Sequence, residues 1–158
     1  MHFWLVRGIT LSVVVVLLGL ASSAVLGEER GLRLEGLDGG ELRESELETG
    51  DSIVVFWASW SPRCRDIEQR VEGISQRWKE KARVLTVNFQ EEPDEIHKFI
   101  GAPTAQFSIF LDSSGSFAKK HSITTLPSLL IYRDGRQVHR GLLPADVDAV
   151  LRQWLPSR

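Results

Sequence analysis

The feature of this 158-residue chain that most constrains its fold is an alternation of strand and helix patterns in its middle part. The β-branched and aromatic run at 53–57 (IVVFW) is typical of a strand buried on both faces. Apolar residues then recur at helical spacing, which predicts a helix over 62–81. A strand at 83–89, a helix at 93–100 and a strand at 107–111 follow. This order predicts an α/β domain in which right-handed crossovers join parallel strands of one sheet.

Both ends of this domain carry the pattern of a β-hairpin. At its start, leucines alternate with polar residues and lead into a glycine-rich turn within 32–40. Near its end, two strands within 128–140 flank Asp134 and Gly135, a pair that is a strong signal for a tight turn. A last amphipathic helix is predicted to open at Pro144. The fold class predicted is therefore α/β with a central mixed sheet flanked by helices.

An uncharged segment precedes the domain. Residues 8–27 carry no charged side chain, Arg7 stands before them, and acidic residues follow. About 20 such residues can cross a bilayer as a helix, yet the sequence ASSA at 21–24 resembles a signal peptidase site. Residues 1–27 are thus interpreted as a signal peptide or a membrane anchor, and 28–158 as one domain. Because the positive charge favours the cytoplasmic side, the domain is predicted to lie outside the cytoplasmic membrane, with the membrane as a partner if the segment is uncleaved.

Charge and cysteine content exclude several classes of function. A formal net charge of -2 provides no basic field for nucleic-acid binding. A single cysteine excludes an intramolecular disulfide and a multi-cysteine zinc site. His97, His121 and His139 show no metal-ligand spacing, so we expect neither a metal nor an organic cofactor.

Residues 57–64 (WASWSPRC) resemble the active-site segment of the thioredoxin-like superfamily, whose usual form is W-A-x-W-C-x-x-C. Three other features are similar to the membrane-anchored thiol-disulfide oxidoreductases of the TlpA and ResA type: the lead-in at 32–42, the inserted helix and strand between 91 and 112, and the stretch TTLPSLLIYRDG at 124–135. The resemblance implies a thioredoxin-like fold with a TlpA-type N-terminal hairpin and a central αβ insertion. It also implies a family role in extracytoplasmic redox homeostasis or cytochrome c maturation.

In that family the first cysteine of the pair attacks a disulfide and the second resolves the mixed disulfide; the matching positions here are Ser61 and Cys64. A serine hydroxyl cannot form a sulfur–sulfur bond, and exchange needs two thiols. The sequence therefore excludes autonomous dithiol cycling. Val55 stands where thioredoxin proper carries a buried acid. Glu91 matches a ResA-type carboxylate that could polarise a thiol, but because charged side chains are seldom buried, we expect a solvated loop acid.

Two hypotheses remain for Cys64. Its neighbours Arg63 and Arg65 would favour a thiolate, so an exposed Cys64 could form mixed disulfides with a protein thiol or glutathione. Alternatively, the position matches the shielded resolving cysteine of the family, and a shielded lone cysteine behaves as a small hydrophobe. We favour the second interpretation.

The remaining site residues point to a binding module. Leu126 and Pro127 match the cis-proline loop of the family, which together with Trp60 and Pro62 would form a groove for an extended peptide segment of a client protein. Backbone pairing of such a segment needs no cysteine. Ser61 before Pro62 also fits the N-cap of the following helix, a structural role that is compatible with either hypothesis.

Overall fold

A computed structural model describes residues 31–101 and 107–155, and in this part of the chain seven strands form one sheet in the order β2-β1-β5-β4-β3-β6-β7. The strands are β1 (Arg33–Gly36), β2 (Glu41–Arg43), β3 (Ser52–Trp57), β4 (Arg83–Phe89), β5 (Ser108–Asp112), β6 (Ser128–Arg133) and β7 (Arg136–Leu142). The helices are α1 (Ile67–Trp78), α2 (Pro93–Ile100), α3 (Ser116–Lys120) and α4 (Val147–Trp154), with short 3-10 helices at Glu44–Glu48 and Pro62–Cys64. Strands β2 and β7 form the two edges.

The sheet is mixed, as the sequence predicted. β3, β4 and β5 are parallel neighbours, whereas β1 pairs antiparallel with β5, and β6 with β3 and β7. Both expected hairpins are present, and Asp134 and Gly135 turn the second with φ values of 48° and 77°, in the left-handed region that this tight turn requires. The α/β fold class is confirmed, and α2 and β5 form the inserted unit between residues 91 and 112.

Strand β3 is the centre of the core because every one of its residues is buried. Its side chains alternate between two faces. Ile53, Val55 and Trp57 pack in a cluster with residues of α1 and α4, while Val54 and Phe56 pack in a cluster with residues of α3. Because side-chain clusters pack against both faces of β3, the position of its last residue, Trp57, is fixed. The segment after Trp57 therefore leaves the core from a defined position.

The helix predicted over 62–81 is wrong at its start. The chain forms a 3-10 helix at Pro62–Cys64, and the α-helix begins only at Ile67. Ser61 is the N-cap of the 3-10 helix, but its side chain makes no capping hydrogen bond. The physical reason for the later start lies in the backbone: the Cys64 N–H donates to the Ser61 carbonyl three residues earlier, the 3-10 pattern. The four-residue spacing of an α-helix starts only with the Arg70 N–H and the Asp66 carbonyl. The final helix also starts later than Pro144, because the Asp146 side chain caps it by accepting from the Ala149 N–H at 3.0 Å.

The hydrophobic segment at 1–27 lies outside the described residues, so its assignment as a signal peptide or anchor, and the domain boundary at 28, stay predictions. Within 31–101 and 107–155, the helices are all too short or too polar to cross a bilayer.

Candidate functional site

The segment between β3 and α1 folds into two consecutive turns. The Ser61 N–H donates to the Ala58 carbonyl at 3.2 Å, and the Cys64 N–H donates to the Ser61 carbonyl at 2.9 Å. These turns carry the chain over the end of β3 and bring Cys64 back into the core, where it packs with Trp57 and Ile67. Cys64 is 0% exposed and Ser61, which lies against its sulfur, is 6% exposed.

Burial is the largest influence on the pKa of this thiol. Loss of solvent raises the pKa of Cys64, and the hydrogen bonds from the Ala58 backbone and the Ser61 hydroxyl, together with the charge of Arg70, only partly oppose that effect. The charge of Glu91 raises the pKa of the thiol further. The interpretation of Cys64 as an exposed thiolate between two arginines is therefore wrong, and the shielded alternative describes its place in the structure.

Glu91 is not the solvated loop acid that the sequence predicted, since it is 6% exposed. Its carboxylate accepts the Ser59 N–H at 2.7 Å, the Ser59 hydroxyl, and the Asn88 side-chain amide at 2.6 Å. Gln90, with a left-handed φ of 54°, turns the chain at the end of β4. The carboxylate thereby fastens the start of the 58–64 segment to the neighbouring strand.

A signal for this arrangement was present in the sequence. β3 and β4 are parallel, and Trp57 is in register with Asn88. Polar residues that directly follow adjacent parallel strands meet at one edge of the sheet, so Ser59 and Glu91 were placed to interact. The sequence-based interpretation weighed Glu91 alone and did not pair it with Ser59.

An open groove lies on the other side of the same segment. Trp60 is 61% exposed, and the peptide bond between Leu126 and Pro127 is cis, as predicted. A pocket of about 280 Å³, called here the apolar pocket, is lined by Phe56, Trp60, Ser61, Phe89, Ala118, Ile123, Thr124, Thr125 and Leu126. The structure thus brings Trp60, Ser61 and Leu126 together, as expected.

Two of the predicted groove residues contribute in other ways. Pro127 is buried behind the loop, and Pro62 is exposed at the start of the 3-10 helix without lining the apolar pocket. The sequence analysis did not identify Phe89 and Ile123 as pocket residues, because one ends a strand and the other lies in a loop. Among the described residues, no cluster of three or more His, Cys, Asp and Glu side chains could hold a metal ion.

Comparison with known proteins agrees with this geometry. A model of the AhpC/TSA family matches residues 30–140, which is more than half of the chain. The chain belongs to the AhpC/TSA family. Among curated proteins of related sequence is the sporulation thiol-disulfide oxidoreductase A of Bacillus subtilis (strain 168), 24% identical over 107 residues, covering 65% of this chain and 65% of that protein. The match therefore spans less than two thirds of that relative's own length.

Solved structures show the same fold. The pneumococcal exposed lipoprotein thioredoxin Etrx1 from Streptococcus pneumoniae strain TIGR4 superposes with a TM-score of 0.67 at 23% identity, covering 77% of this chain and 96% of that chain. StoA from Bacillus subtilis superposes with a TM-score of 0.60 at 21% identity, covering 78% and 94%. This AhpC/TSA family chain is thus thioredoxin-like in fold, and its relatives include thiol-disulfide oxidoreductases.

Proposed function

We propose that this chain is a thioredoxin-like binding module that holds an extended segment of a client protein and does not catalyse dithiol–disulfide exchange. One observation carries the proposal. The sole cysteine is fully buried beneath Ser61, whereas Trp60, on the same segment, is 61% exposed beside the apolar pocket. The part of the site that would do redox chemistry lacks its first sulfur and is closed, and the part that would recognise a client is open.

A monothiol role is the alternative that this geometry disfavours. The thiolate is the form that attacks disulfides. Burial raises the pKa of Cys64, so the thiol is held in its protonated form near neutral pH. With no surface accessible at Cys64, a partner sulfur would reach it only after the 58–64 segment opened.

The loop at 122–127 supplies what an extended peptide needs for recognition. Across the described part of the chain, Thr124 and Leu126 have no backbone hydrogen-bond partner. Because unpaired N–H and C=O groups beside a groove are available to a peptide backbone, a client strand could pair there while its side chains enter the apolar pocket.

The place of action belongs to the same proposal. The uncharged segment at 8–27 would deliver or tether the domain outside the cytoplasm. The name of Etrx1, an exposed lipoprotein thioredoxin, supports an extracytoplasmic location for this fold. The clients would then be extracytoplasmic proteins, recognised through a peptide segment and not through a cysteine pair.

Two measurements on the purified full chain test this proposal. In an insulin reduction assay with dithiothreitol, we expect turnover no faster than the reaction without protein. In labelling with a thiol-specific reagent, we expect Cys64 to be protected near neutral pH in the folded state, and to react promptly once urea unfolds the chain. Labelling of the folded chain should stay slower than that of the unfolded chain at every pH, because Cys64 has no accessible surface and burial disfavours its thiolate.

The outcomes separate the two functions. Robust insulin reduction by the native chain would refute the proposal. Rapid labelling of folded Cys64 near neutral pH, together with a mixed disulfide formed with glutathione, would establish the monothiol function in its place.

A further inference from the structure

The large apolar side chains that the described residues expose lie on either side of one loop. They are Trp60, 61% exposed, and Leu142, 47% exposed. Trp60 lines the apolar pocket with Leu126, and Leu142 is the register partner of Ser128, directly after the cis-proline. The Leu143 N–H also donates to the Pro127 carbonyl at 2.9 Å, which holds this end of β7 against the loop. The exposed apolar surface is therefore concentrated around residues 122–127.

A second pocket adjoins the first across this loop. It has a volume of about 340 Å³ and is called here the polar pocket; its lining residues are Ser122, Ile123, Thr124, Thr125, Ser128, Arg140 and Gly141. Ile123, Thr124 and Thr125 line both pockets, so this short stretch is the ridge between them. The two pockets differ in chemistry, because aromatic and aliphatic side chains dominate the first, whereas hydroxyl groups and one guanidinium line the second.

Arg140 is the charged residue of the polar pocket. It is exposed on the edge strand β7, and its Nη1 donates to the His121 carbonyl at 2.9 Å, which orients the guanidinium and leaves its other N–H donors unused by that bond. No ion pair among the described residues involves Arg140, and neither pocket has a carboxylate among its described lining residues. Arg63 and Arg65 are exposed on the segment that follows Trp60, and the exposed acid Asp66 comes directly after them. The surface is thus complementary to an acidic ligand.

We infer that the client segment bound at this surface carries a bulky apolar residue and, close to it in sequence, a carboxylate: the apolar side chain fills the pocket between Trp60 and Leu126, and the carboxylate pairs with Arg140. This inference rests on the proposed function and names the class of peptide that the groove selects.

An extended segment can reach both pockets, because only the stretch 123–125 separates them. Side chains two residues apart in a β-strand point to the same face and are separated by about 6.6 Å, so the test peptides place an apolar and an acidic residue at this spacing. A pocket of about 280 Å³ is smaller than the roughly 300–1,000 Å³ typical of drug-sized ligand sites and suits a single leucine or phenylalanine side chain. An arginine oriented by the backbone is suited to bidentate pairing with a carboxylate.

The test uses cysteine-free heptapeptides and the full chain. The first peptide is Gly-Ser-Leu-Thr-Glu-Ser-Gly; in the second, Lys replaces Glu, and in the third, Ser replaces Leu. Binding is measured by calorimetry with the native chain, with Arg140→Gln, with Arg140→Lys and with Trp60→Ala. Arg136→Gln is the matched control, because it removes the same charge from the exposed far end of β7.

We expect the Leu-Glu peptide to bind about fivefold more tightly than the Leu-Lys peptide, the effect of one solvent-exposed ion pair of about 1 kcal/mol. This preference should disappear in Arg140→Gln and persist in Arg140→Lys and Arg136→Gln. The third peptide, which lacks the leucine, should bind weakly to every variant. Trp60→Ala should weaken both leucine peptides.

Equal binding of the Leu-Glu and Leu-Lys peptides, with loss of both in Trp60→Ala, would overturn this inference and leave the proposed function intact. Absence of binding by all three peptides would overturn both. A preference for Glu that survives in Arg140→Gln would overturn the role assigned to Arg140.

Discussion

Cys64 and Trp60 lie four positions apart on one segment, yet their environments are opposite. Cys64 is 0% exposed in the core beside Trp57, while Trp60 is 61% exposed on the groove. In a dithiol enzyme of this fold, the groove brings a client disulfide to a reactive sulfur. Here the residue at the groove is Ser61, so the groove presents a hydroxyl where the dithiol family has a thiol. The thiol thus lies in the core and the exposed aromatic ring lies at the groove, and Ser61 is in contact with both environments.

The buried side of the site, around Cys64, and its open side, around Trp60 and the loop at 122–127, are held in place by different contacts. We call them the closed side and the open side. Glu91 holds Ser59 and Asn88 through buried hydrogen bonds, which fix the segment from beneath. The open side is formed by the loop at 122–127, where Thr124 and Leu126 have no backbone hydrogen-bond partner among the described residues and apolar side chains line the pocket. Ser61 joins the two sides, because it lines the apolar pocket and hydrogen-bonds to the Cys64 thiol. Three changes test how far the two sides depend on each other.

The largest expected effect comes from Ser61→Cys. The hydrogen bond between the Cys64 N–H and the Ser61 carbonyl closes a four-residue turn, and such turns hold their end Cα atoms within about 7 Å, a range that overlaps disulfide geometry. The Ser61 hydroxyl already contacts the Cys64 sulfur. We therefore expect this variant to form an intramolecular disulfide and to reduce insulin with dithiothreitol, from no turnover in the native chain.

The matched controls for this variant separate chemistry from folding. Ser61→Ala should remain inactive, and Ser61→Cys combined with Cys64→Ala should lose the turnover that the single change creates, because the mixed disulfide can no longer be resolved within the chain. Two free thiols in Ser61→Cys after treatment with a mild oxidant would contradict this prediction. The turn would then not bring the two sulfurs within bonding distance, and this site would differ from that of the dithiol family by more than the missing sulfur at position 61.

The second prediction compares the stability of two variants, Trp57→Ala and Trp60→Ala. Trp57 is 1% exposed and its ring lies 5.7 Å from that of Phe99, so Trp57→Ala should lower the free energy of unfolding by about 3–5 kcal/mol. Trp60→Ala, at an exposed position, should change the free energy of unfolding by no more than about 0.5 kcal/mol. Urea denaturation followed by circular dichroism measures both. Equal losses for the two variants would mean that Trp60 serves the fold and not a ligand.

Much of the fold could be predicted from the sequence because its signals are local. The buried run in β3, the stripe on α1 and the turn at Asp134 and Gly135 each identify an element without knowledge of its neighbours. The order of these elements then restricts the topology. The start of the helix was the exception, because Ser61 and Pro62 fit the first turn of a 3-10 helix as well as that of an α-helix, and the sequence pattern does not distinguish the two.

The site was less predictable because its decisive contacts join distant parts of the chain. Glu91 accepts from Ser59, which lies 32 positions earlier, and Arg140 reaches the His121 carbonyl from the edge strand. A charged residue in a loop resembles a solvated one until its partners are known. The pattern of the loop near Pro127 identified the groove, but the pocket chemistry on its two sides required the packing of α3 and β7 around it.

The smallest of the three effects is a loss of stability when the hydrogen bonds of Glu91 to Ser59 and Asn88 are removed. Glu91→Ala removes the acceptor of the Ser59 and Asn88 donors, which remain buried or partly buried without it, so we expect a loss of about 2 kcal/mol in the free energy of unfolding. Glu91→Gln should lose less, because its amide retains a carbonyl acceptor. Glu80→Ala is the control, since Glu80 is an exposed acid after α1 and its removal should cost no more than about 0.5 kcal/mol.

The same variant connects stability with the thiol. Without Glu91 the start of the 58–64 segment is released, and the charge that raises the pKa of Cys64 is gone, so the folded chain should be labelled faster near neutral pH. Peptide binding at the groove should change little, because Glu91 lines neither pocket. Labelling that stays as slow as in the native chain would show that Cys64 is sealed by the core packing of Trp57 and Ile67 alone. Loss of peptide binding would show that the closed side also shapes the open one.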